Sequence, residues 1–156
     1  MEEDVSKKAF NYAIRLLSRR DYSKYKLLQK LKEKGFPKEI HEEIINKLIE
    51  LKYLNEDEYK LARIKGFIRK GYSSDAIVFK LKQENCSASS TEILSIFQEL
   101  ETNDDLIATD IVQKKYRLEK DFSTNTKKLK NKVIRYALQR GHSFSKITNI
   151  LEQINN

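Results

Sequence analysis

The side chains with the clearest chemical potential are basic residues that recur at one spacing along the chain. Arg19 and Arg20 close a predicted helix, and Arg69 and Lys70 occupy the matching positions fifty residues later. An arginine can donate two parallel hydrogen bonds to a carboxylate or a phosphate, which a lysine that only improves solubility does not need to do. The repetition therefore predicts contacts with an anionic partner.

The 156-residue chain carries a net charge of +8, which is unevenly distributed. Residues 1–54 carry +4 and residues 104–156 carry +5, whereas residues 55–103 carry −1. Such a charge attracts nucleic acid, an anionic membrane or an acidic protein, although a solvated face explains any single lysine equally well. The residues predicted to contact a partner or DNA are Arg15, Arg19, Arg20, Lys24, Lys65, Arg69, Lys70, Arg117, Lys127, Lys130, Arg135 and Arg140.

Several tyrosines lie among these basic residues. Aromatic rings interleaved with Lys and Arg can stack on nucleic-acid bases. They can also pack between helices with the hydroxyl group in water. We expect packing for Tyr22 and Tyr72, because each directly precedes a serine at a predicted helix start. The five tyrosines in question are Tyr22, Tyr25, Tyr72, Tyr116 and Tyr136.

The residue types that catalysis or metal binding needs are few and scattered. Two histidines, one cysteine and four glycines form no HExxH motif, no nucleophile–histidine arrangement and no glycine-rich phosphate loop. His41 lies among glutamates on a predicted helix and is expected to be exposed. Cys86 has no evident acid–base partner and is expected to be a passive thiol. We therefore predict a binding protein that is not an enzyme and needs no metal or cofactor.

The sequence also bears on the cellular compartment. A single cysteine cannot form an internal disulfide, which argues against an oxidising environment. No apolar stretch approaches the roughly 20 residues that a transmembrane helix requires. The acidic start, Met-Glu-Glu-Asp, lacks the apolar core of a signal peptide. We expect a cytoplasmic protein that makes no membrane contact.

Apolar residues recur at helical spacing almost throughout the chain, and there is only one proline. This pattern predicts an all-α fold of about nine short helices, each of which depends on tertiary packing. One stripe consists of Ile93, Leu94, Phe97 and Leu100.

The breaks between these stripes carry residues that begin and end helices. Gly35 and Gly141 directly follow a predicted helix, where a left-handed backbone is favoured. A serine or asparagine oxygen can accept hydrogen bonds from the free N–H groups at a helix start. The predicted N-caps are Ser23, Asn55, Ser89, Asn103 and Ser143.

The sequence matches itself when it is shifted by fifty residues. Tyr22 and Ser23 fall on Tyr72 and Ser73, and the apolar positions of three consecutive helices agree. The last third matches less closely, through residues 31–35 and 137–141.

The internal repeat sets the predicted domain organisation. We predict three tandem three-helix repeats over residues 5–54, 55–103 and 104–154. Arrays of this kind bury a core only between neighbouring units, so an elongated molecule is expected. It offers a long surface for a partner and no deep pocket for a small substrate.

Several of these segments resemble the RecX family of bacterial regulatory proteins. Residues 13–23 (AIRLLSRRDYS) are similar to the opening helix and basic turn of the family. Residues 28–36 (LQKLKEKGF) resemble its second helix, which ends in Gly-Phe, and residues 48–59 (LIELKYLNEDEY) resemble its junction to the next unit. Residues 69–72 and 138–141 keep shorter parts of the pattern.

The resemblance implies three three-helix units that bind in the helical groove of the RecA filament on single-stranded DNA. It implies restraint of filament extension, ATP hydrolysis, strand exchange and RecA-assisted repressor cleavage, and so a role in recombination, DNA repair and the SOS response. A monomer is expected. Two alternatives stay open: a helical module that binds nucleic acid directly without RecA, and a helical scaffold for some other partner.

Overall fold

The computed structural model describes residues 1–122 and 125–156 of the chain. Within those residues there are nine α-helices, one short 3-10 turn at Lys38–Ile40 and no strand, which confirms the predicted all-α fold. The helices are α1 Glu2–Leu17, α2 Lys24–Lys34, α3 His41–Glu50, α4 Glu56–Arg69, α5 Ser74–Gln83, α6 Ser90–Glu99, α7 Asp104–Lys120, α8 Thr126–Gln139 and α9 Phe144–Asn155.

The predicted N-caps are confirmed at the starts of five helices. Ser89 and Glu92 form a complete capping box, in which each side chain accepts from the backbone N–H of the other residue. Gly35 and Gly141 have φ values of 91° and 85°, the left-handed conformation expected after a helix. The side chains that accept at the other four starts are Ser23, Asn55, Asn103 and Ser143.

The chain divides into two compact units, 1–63 and 64–156. In the first unit, α1, α2 and α3 close around one apolar cluster. The stripe residues of these helices are buried because each helix is amphipathic and turns its apolar face inward. The fully buried members include Ala13, Leu27, Leu31 and Leu48.

The second unit contains two apolar clusters. One joins the C-terminal half of α4 to α5 and α6, and includes Ile64, Ile77 and Ile93. The other joins α7, α8 and α9, and includes Val112, Val133 and Ile147. The first of these clusters also includes Ile107 of α7, so it is formed by four helices, whereas the second is formed by three.

The stripe predicted for α6 is only half buried. Ile93 and Phe97 are buried, but Leu94 and Leu100 are exposed. Leu94 is exposed because α6 packs mainly against α5, whereas α3 packs against both α1 and α2 and buries the matching Ile45. Leu51, which matches Leu100, is exposed as well. A helix with one main neighbour buries a narrower stripe than a helix with two.

The prediction that His41 is exposed was wrong. His41 is buried at the start of α3, and its Nε2 lies 2.9 Å from the carbonyl oxygen of Phe36. A carbonyl oxygen only accepts hydrogen bonds, so Nε2 carries the proton. The loop before α3 folds its backbone onto the imidazole, while the neighbouring glutamates point to solvent.

Candidate partner-binding site

The turn after α1, which carries Arg20, and the turn after α4, which carries Lys70, are called here the two basic turns. A carboxylate from the start of a later helix, α4 or α7, holds each of them. The N–H of Lys24 donates to Glu56 Oε2 at 2.7 Å. Fifty residues later, the N–H and hydroxyl of Ser74 donate to the two carboxylate oxygens of Asp104, at 2.7 and 2.6 Å. A carboxylate at a helix start satisfies free N–H groups and complements the helix dipole. The same joint therefore fixes the backbone just after Arg20 and just after Lys70.

Most of the twelve predicted contact residues are available to a partner. Three of them, Lys65, Lys130 and Arg140, are half-buried. The exposed residues are Arg15, Arg19, Arg20, Lys24, Arg69, Lys70, Arg117, Lys127 and Arg135.

The charge of the twelve residues is not neutralised from within the part of the chain that the structure describes. No Asp or Glu there forms an ion pair with any of them. Other lysines do have acidic partners, such as Lys114 with Asp110 at 2.9 Å and Lys146 with Asp105 at 2.7 Å. The predicted set therefore consists of cations that have no ion pair with any described residue.

In the first unit, Arg20 lies beside a small basic cleft. Its guanidinium carbon is 4.7 Å from the centroid of the Tyr22 ring, which orients the side chain. Arg20, Lys26 and Arg63 line a cleft of about 300 Å³, and Asp21 is the single carboxylate in that lining. A phosphate or carboxylate that enters this cleft meets three cations and one acid.

Two of these cleft residues, Lys26 and Arg63, were not predicted. Arg63 occupies the position that matches the buried Ala13 in the fifty-residue shift. The repeat predicts a buried apolar side chain at this position. A charged residue there departs from the pattern, and this departure could have identified Arg63 as a candidate binding residue. Lys26 carries no comparable signal, since lysines are frequent throughout that helix.

Arg140 is placed differently from the other predicted residues. Its Nε donates to the carbonyl oxygen of Lys70 at 2.8 Å, and its guanidinium carbon lies 3.6 Å from the centroid of the Tyr136 ring. Next to it, Ser73 N–H donates to the Arg140 carbonyl oxygen at 2.9 Å, and His142 Nε2 donates to the Gly71 carbonyl oxygen at 2.8 Å. Arg140 therefore ties the turn after α8 to the turn after α4.

The tyrosines near these turns are largely covered by the chain's own cations. Tyr22 is buried, as expected, and Tyr72 packs edge-on to Phe67 with a centroid distance of 5.6 Å. Lys80 lies 4.7 Å from the centroid of Tyr72, and Arg140 lies over Tyr72 and Tyr136. This arrangement favours packing over base stacking for these rings.

Glu119 is the acidic centre of the third-repeat surface. Its two carboxylate oxygens lie 2.8 Å from Lys115 Nζ and 3.3 Å from Lys132 Nζ. The hydrogen bond from Lys115, followed by that from Lys132, lowers the pKa of Glu119. Glu119 thereby links α7 to α8 and holds two of the basic side chains in place.

Replacing Glu119 with glutamine is expected to flatten the acid dependence of stability. Because the folded pKa of Glu119 is lowered, its contribution is complete above the ordinary glutamate pKa and is lost as the pH falls through the folded value. Thermal melting between pH 6 and pH 3 should therefore fall less steeply for Glu119→Gln than for the parent. The control is Glu152→Gln, an exposed position on α9. An equal flattening by both substitutions would contradict the role of Glu119.

The described residues offer neither a ready metal site nor a membrane-spanning helix. No group of three His, Cys, Asp or Glu residues in the described ranges is arranged to hold a metal ion. No helix formed by these residues is long and apolar enough to cross a membrane.

Two stretches of the chain match family models. Residues 9–48 match the first three-helix domain of RecX, and residues 105–151 match the third three-helix domain of RecX. Together they cover more than half of the chain.

Complete relatives and a solved structure are similar along nearly the whole length. The regulatory protein RecX of Vibrio cholerae serotype O1 (strain M66-2) is 30% identical over 140 residues, which is 90% of this chain and 89% of the relative. The regulatory protein RecX of Haemophilus influenzae (strain PittEE) is 28% identical over 149 residues, 96% of each chain. The crystal structure of RecX from Lactobacillus salivarius has the same fold, with a TM-score of 0.68 at 19% identity and 98% coverage of both chains.

Proposed function

Because the chain belongs to the RecX family of regulatory proteins, we propose that it binds the RecA filament on single-stranded DNA. It lies in the helical groove of the filament as a monomer in the cytoplasm. There it mainly inhibits RecA ATP hydrolysis, strand exchange and RecA-assisted repressor cleavage. It acts by binding and carries out no catalysis of its own.

One observation carries this proposal: the twelve predicted basic side chains lack an internal counter-charge within the described residues. Cations that have no ion pair in the free protein are the ones that gain most from an anionic partner. A filament on DNA supplies both carboxylates and phosphates. A lysine that already forms an ion pair, such as Lys114 with Asp110, would have to break that pair before it could bind an anionic partner.

The repeat organisation suits a partner that is itself repetitive. We propose that residues 5–54, 55–103 and 104–154 act as successive three-helix units. Each of the first two presents a basic turn fixed by the same carboxylate joint, through Glu56 and through Asp104. Side chains held at equivalent places in successive units can meet equivalent places on successive subunits of a filament.

The direct test is a titration of this protein into RecA from the same source while DNA-dependent ATP hydrolysis is measured. We expect inhibition at well below one molecule per RecA subunit, because one molecule in the groove restrains several subunits. Salt must be low enough to preserve electrostatic contacts, since exposed charges are screened over about 10 Å at 0.1 M. An unchanged ATPase rate under these conditions would refute the proposal.

The second candidate is direct binding of nucleic acid independent of RecA, and the charge of +5 on residues 104–156 favours it. The salt dependence of binding to bare single-stranded DNA distinguishes the two functions. Each phosphate contact contributes a slope of about −0.7 to a plot of log K against log salt. A slope steeper than about −3 would support direct binding through several phosphates, and a shallow slope would exclude it.

A further inference from the structure

The first unit contains a groove of which the proposed function uses only one rim residue, Lys24. It lies between α2 and α3, has a volume of about 710 Å³ and is open along one side. Its floor is formed by the apolar side chains Leu28, Phe36 and Ile45. We refer to it as the α2–α3 groove.

The floor of the α2–α3 groove is held in place before any partner arrives. Ile45 is only 1% exposed, and the Phe36 ring packs against Tyr12 with a centroid distance of 5.7 Å. The hydrogen bond from His41 Nε2 fixes the Phe36 carbonyl group from below. A preformed floor reduces the ordering cost of binding.

The rim of the groove is basic. Lys24, Lys32 and Lys38 are exposed around it, and Glu42 is the single carboxylate among its lining residues. None of the three lysines forms an ion pair with another described residue. The groove therefore combines an apolar floor with a net positive rim.

This combination belongs to the first repeat and does not follow from the fold. In the fifty-residue shift, Lys24 corresponds to Ser74 and Phe36 to Cys86. Tyr25, which lines the groove and accepts a hydrogen bond from Gln29 at 2.9 Å, corresponds to Asp75. At these three positions the second repeat has a serine, an aspartate and a cysteine, so the three-helix packing does not require the two aromatic rings or Lys24.

We propose that the α2–α3 groove binds an acidic amphipathic segment of a protein partner. Two bulky apolar side chains of that segment enter the groove against the half-buried Leu28 and Phe36, above the buried Ile45, while its carboxylates meet the rim lysines. Helices bind grooves in this way, with apolar anchors three or four residues apart. The proposal rests on contacts within one unit and does not depend on RecA being the partner.

A peptide fits the groove better than a nucleic acid does. The half-buried apolar side chains Leu28 and Phe36 offer van der Waals contact to an aliphatic or aromatic side chain, whereas a phosphate backbone gains nothing from them. Phe36 is half-buried against Tyr12, which leaves Tyr25 as the single exposed aromatic ring among the lining residues, whereas single strands stack successive bases on several rings.

The test is selection of a phage-displayed random dodecapeptide library on the full immobilised chain. The enriched peptides are then synthesised with a fluorescent label and measured by anisotropy. We expect Asp and Glu around Leu, Ile or Phe at a spacing of three or four residues. We also expect binding to weaken about tenfold or more in the double variant Lys32→Glu, Lys38→Glu, because attraction is replaced by repulsion at two positions.

The matched control is the double variant Lys7→Glu, Lys82→Glu, which makes the same charge change at exposed positions that do not line the groove. Circular dichroism checks that both variants keep their helices. The proposal is overturned if no enriched peptide distinguishes the two variants, or if the enriched peptides are basic. It is also overturned if a labelled oligo(dT) 20-mer binds more tightly than the peptides and depends on the same two lysines. RecA ATPase inhibition, measured separately on the same variants, distinguishes failure here from failure of the proposed function.

Discussion

Replacing Gly71 with alanine is expected to lower the free energy of unfolding by about 2–5 kcal/mol. Gly71 has a φ of +85°, and a left-handed backbone costs an alanine about 1–2 kcal/mol. In addition, a Cβ atom at this position would overlap the side chain of Ile111 and lie 3.3 Å from its Cβ. Overpacking of this kind typically costs a further 1–3 kcal/mol. Urea denaturation followed by circular dichroism measures the loss.

Gly35 provides the matched control for this effect. It has nearly the same left-handed conformation, with a φ of +91°, but nothing lies within 4 Å of a Cβ built on it. Gly35→Ala should therefore cost about 1–2 kcal/mol from backbone conformation alone. Gly141→Ala should behave like Gly71→Ala, since its Cβ would overlap the Ser73 hydroxyl and lie 2.6 Å from Ala76 Cβ. Equal losses at all three glycines would show that the turns after α4 and α8 are not tightly packed.

These glycines illustrate which parts of the fold could be predicted from the sequence. A left-handed residue after a helix depends on neighbours within a few positions, so the conformations of Gly35 and Gly141 were predicted correctly. The N-caps were predictable for the same reason. The contact of Gly71 with Ile111 joins residues forty positions apart. A pattern of neighbouring residues does not show which distant residues are in contact. One sequence taken alone provides no other indication that Gly71 lies against Ile111.

The same limit explains the error at His41. Its neighbours in sequence are glutamates, and a helix of that composition is usually exposed on this face. The carbonyl group that buries it comes from Phe36, in the loop before the helix, and the path of that loop depends on the Phe36 ring packing against Tyr12. A polar residue that is buried by one specific backbone hydrogen bond looks, in sequence, like a surface residue.

The charge pattern of the sequence predicted the candidate site only in part, for a related reason. The prediction from recurring arginines identified basic residues that have no ion pair with a described residue, and most of these residues are exposed. It also selected Arg140, which resembles the others in sequence. In the structure Arg140 donates to the Lys70 carbonyl group and stacks on Tyr136, so its removal would disturb the joint between two turns. A test of partner binding should therefore use other arginines.

Reversing Arg19, Arg20 and Arg69 to glutamate together is expected to weaken inhibition of RecA about a hundredfold or more. All three are exposed: Arg19 and Arg20 lie in the turn after α1, and Arg69 is the last residue of α4. Hydrogen bonds to charged groups contribute about 1.5–3 kcal/mol each, so the loss of even two of them accounts for this factor. The measurement is the concentration of protein that halves the DNA-dependent ATPase rate. Helicity should be unchanged, because all three side chains lie at the surface and the Tyr22 ring under Arg20 is buried in the core by its other neighbours.

The effect must be separated from a simple change in net charge. The triple variant Lys7→Glu, Lys82→Glu, Lys128→Glu makes the same change at exposed lysines outside the predicted set. If the arginines form the contact surface, this control should lose less than about tenfold, since distant exposed charges act only through a screened field. If both variants lose inhibition equally, binding depends on the net charge of the protein and not on particular arginines, as expected for direct binding to the phosphate backbone. If the arginine variant inhibits as well as the parent, these three residues lie outside the interface, and the basic surface of residues 104–156 is where binding must then be sought.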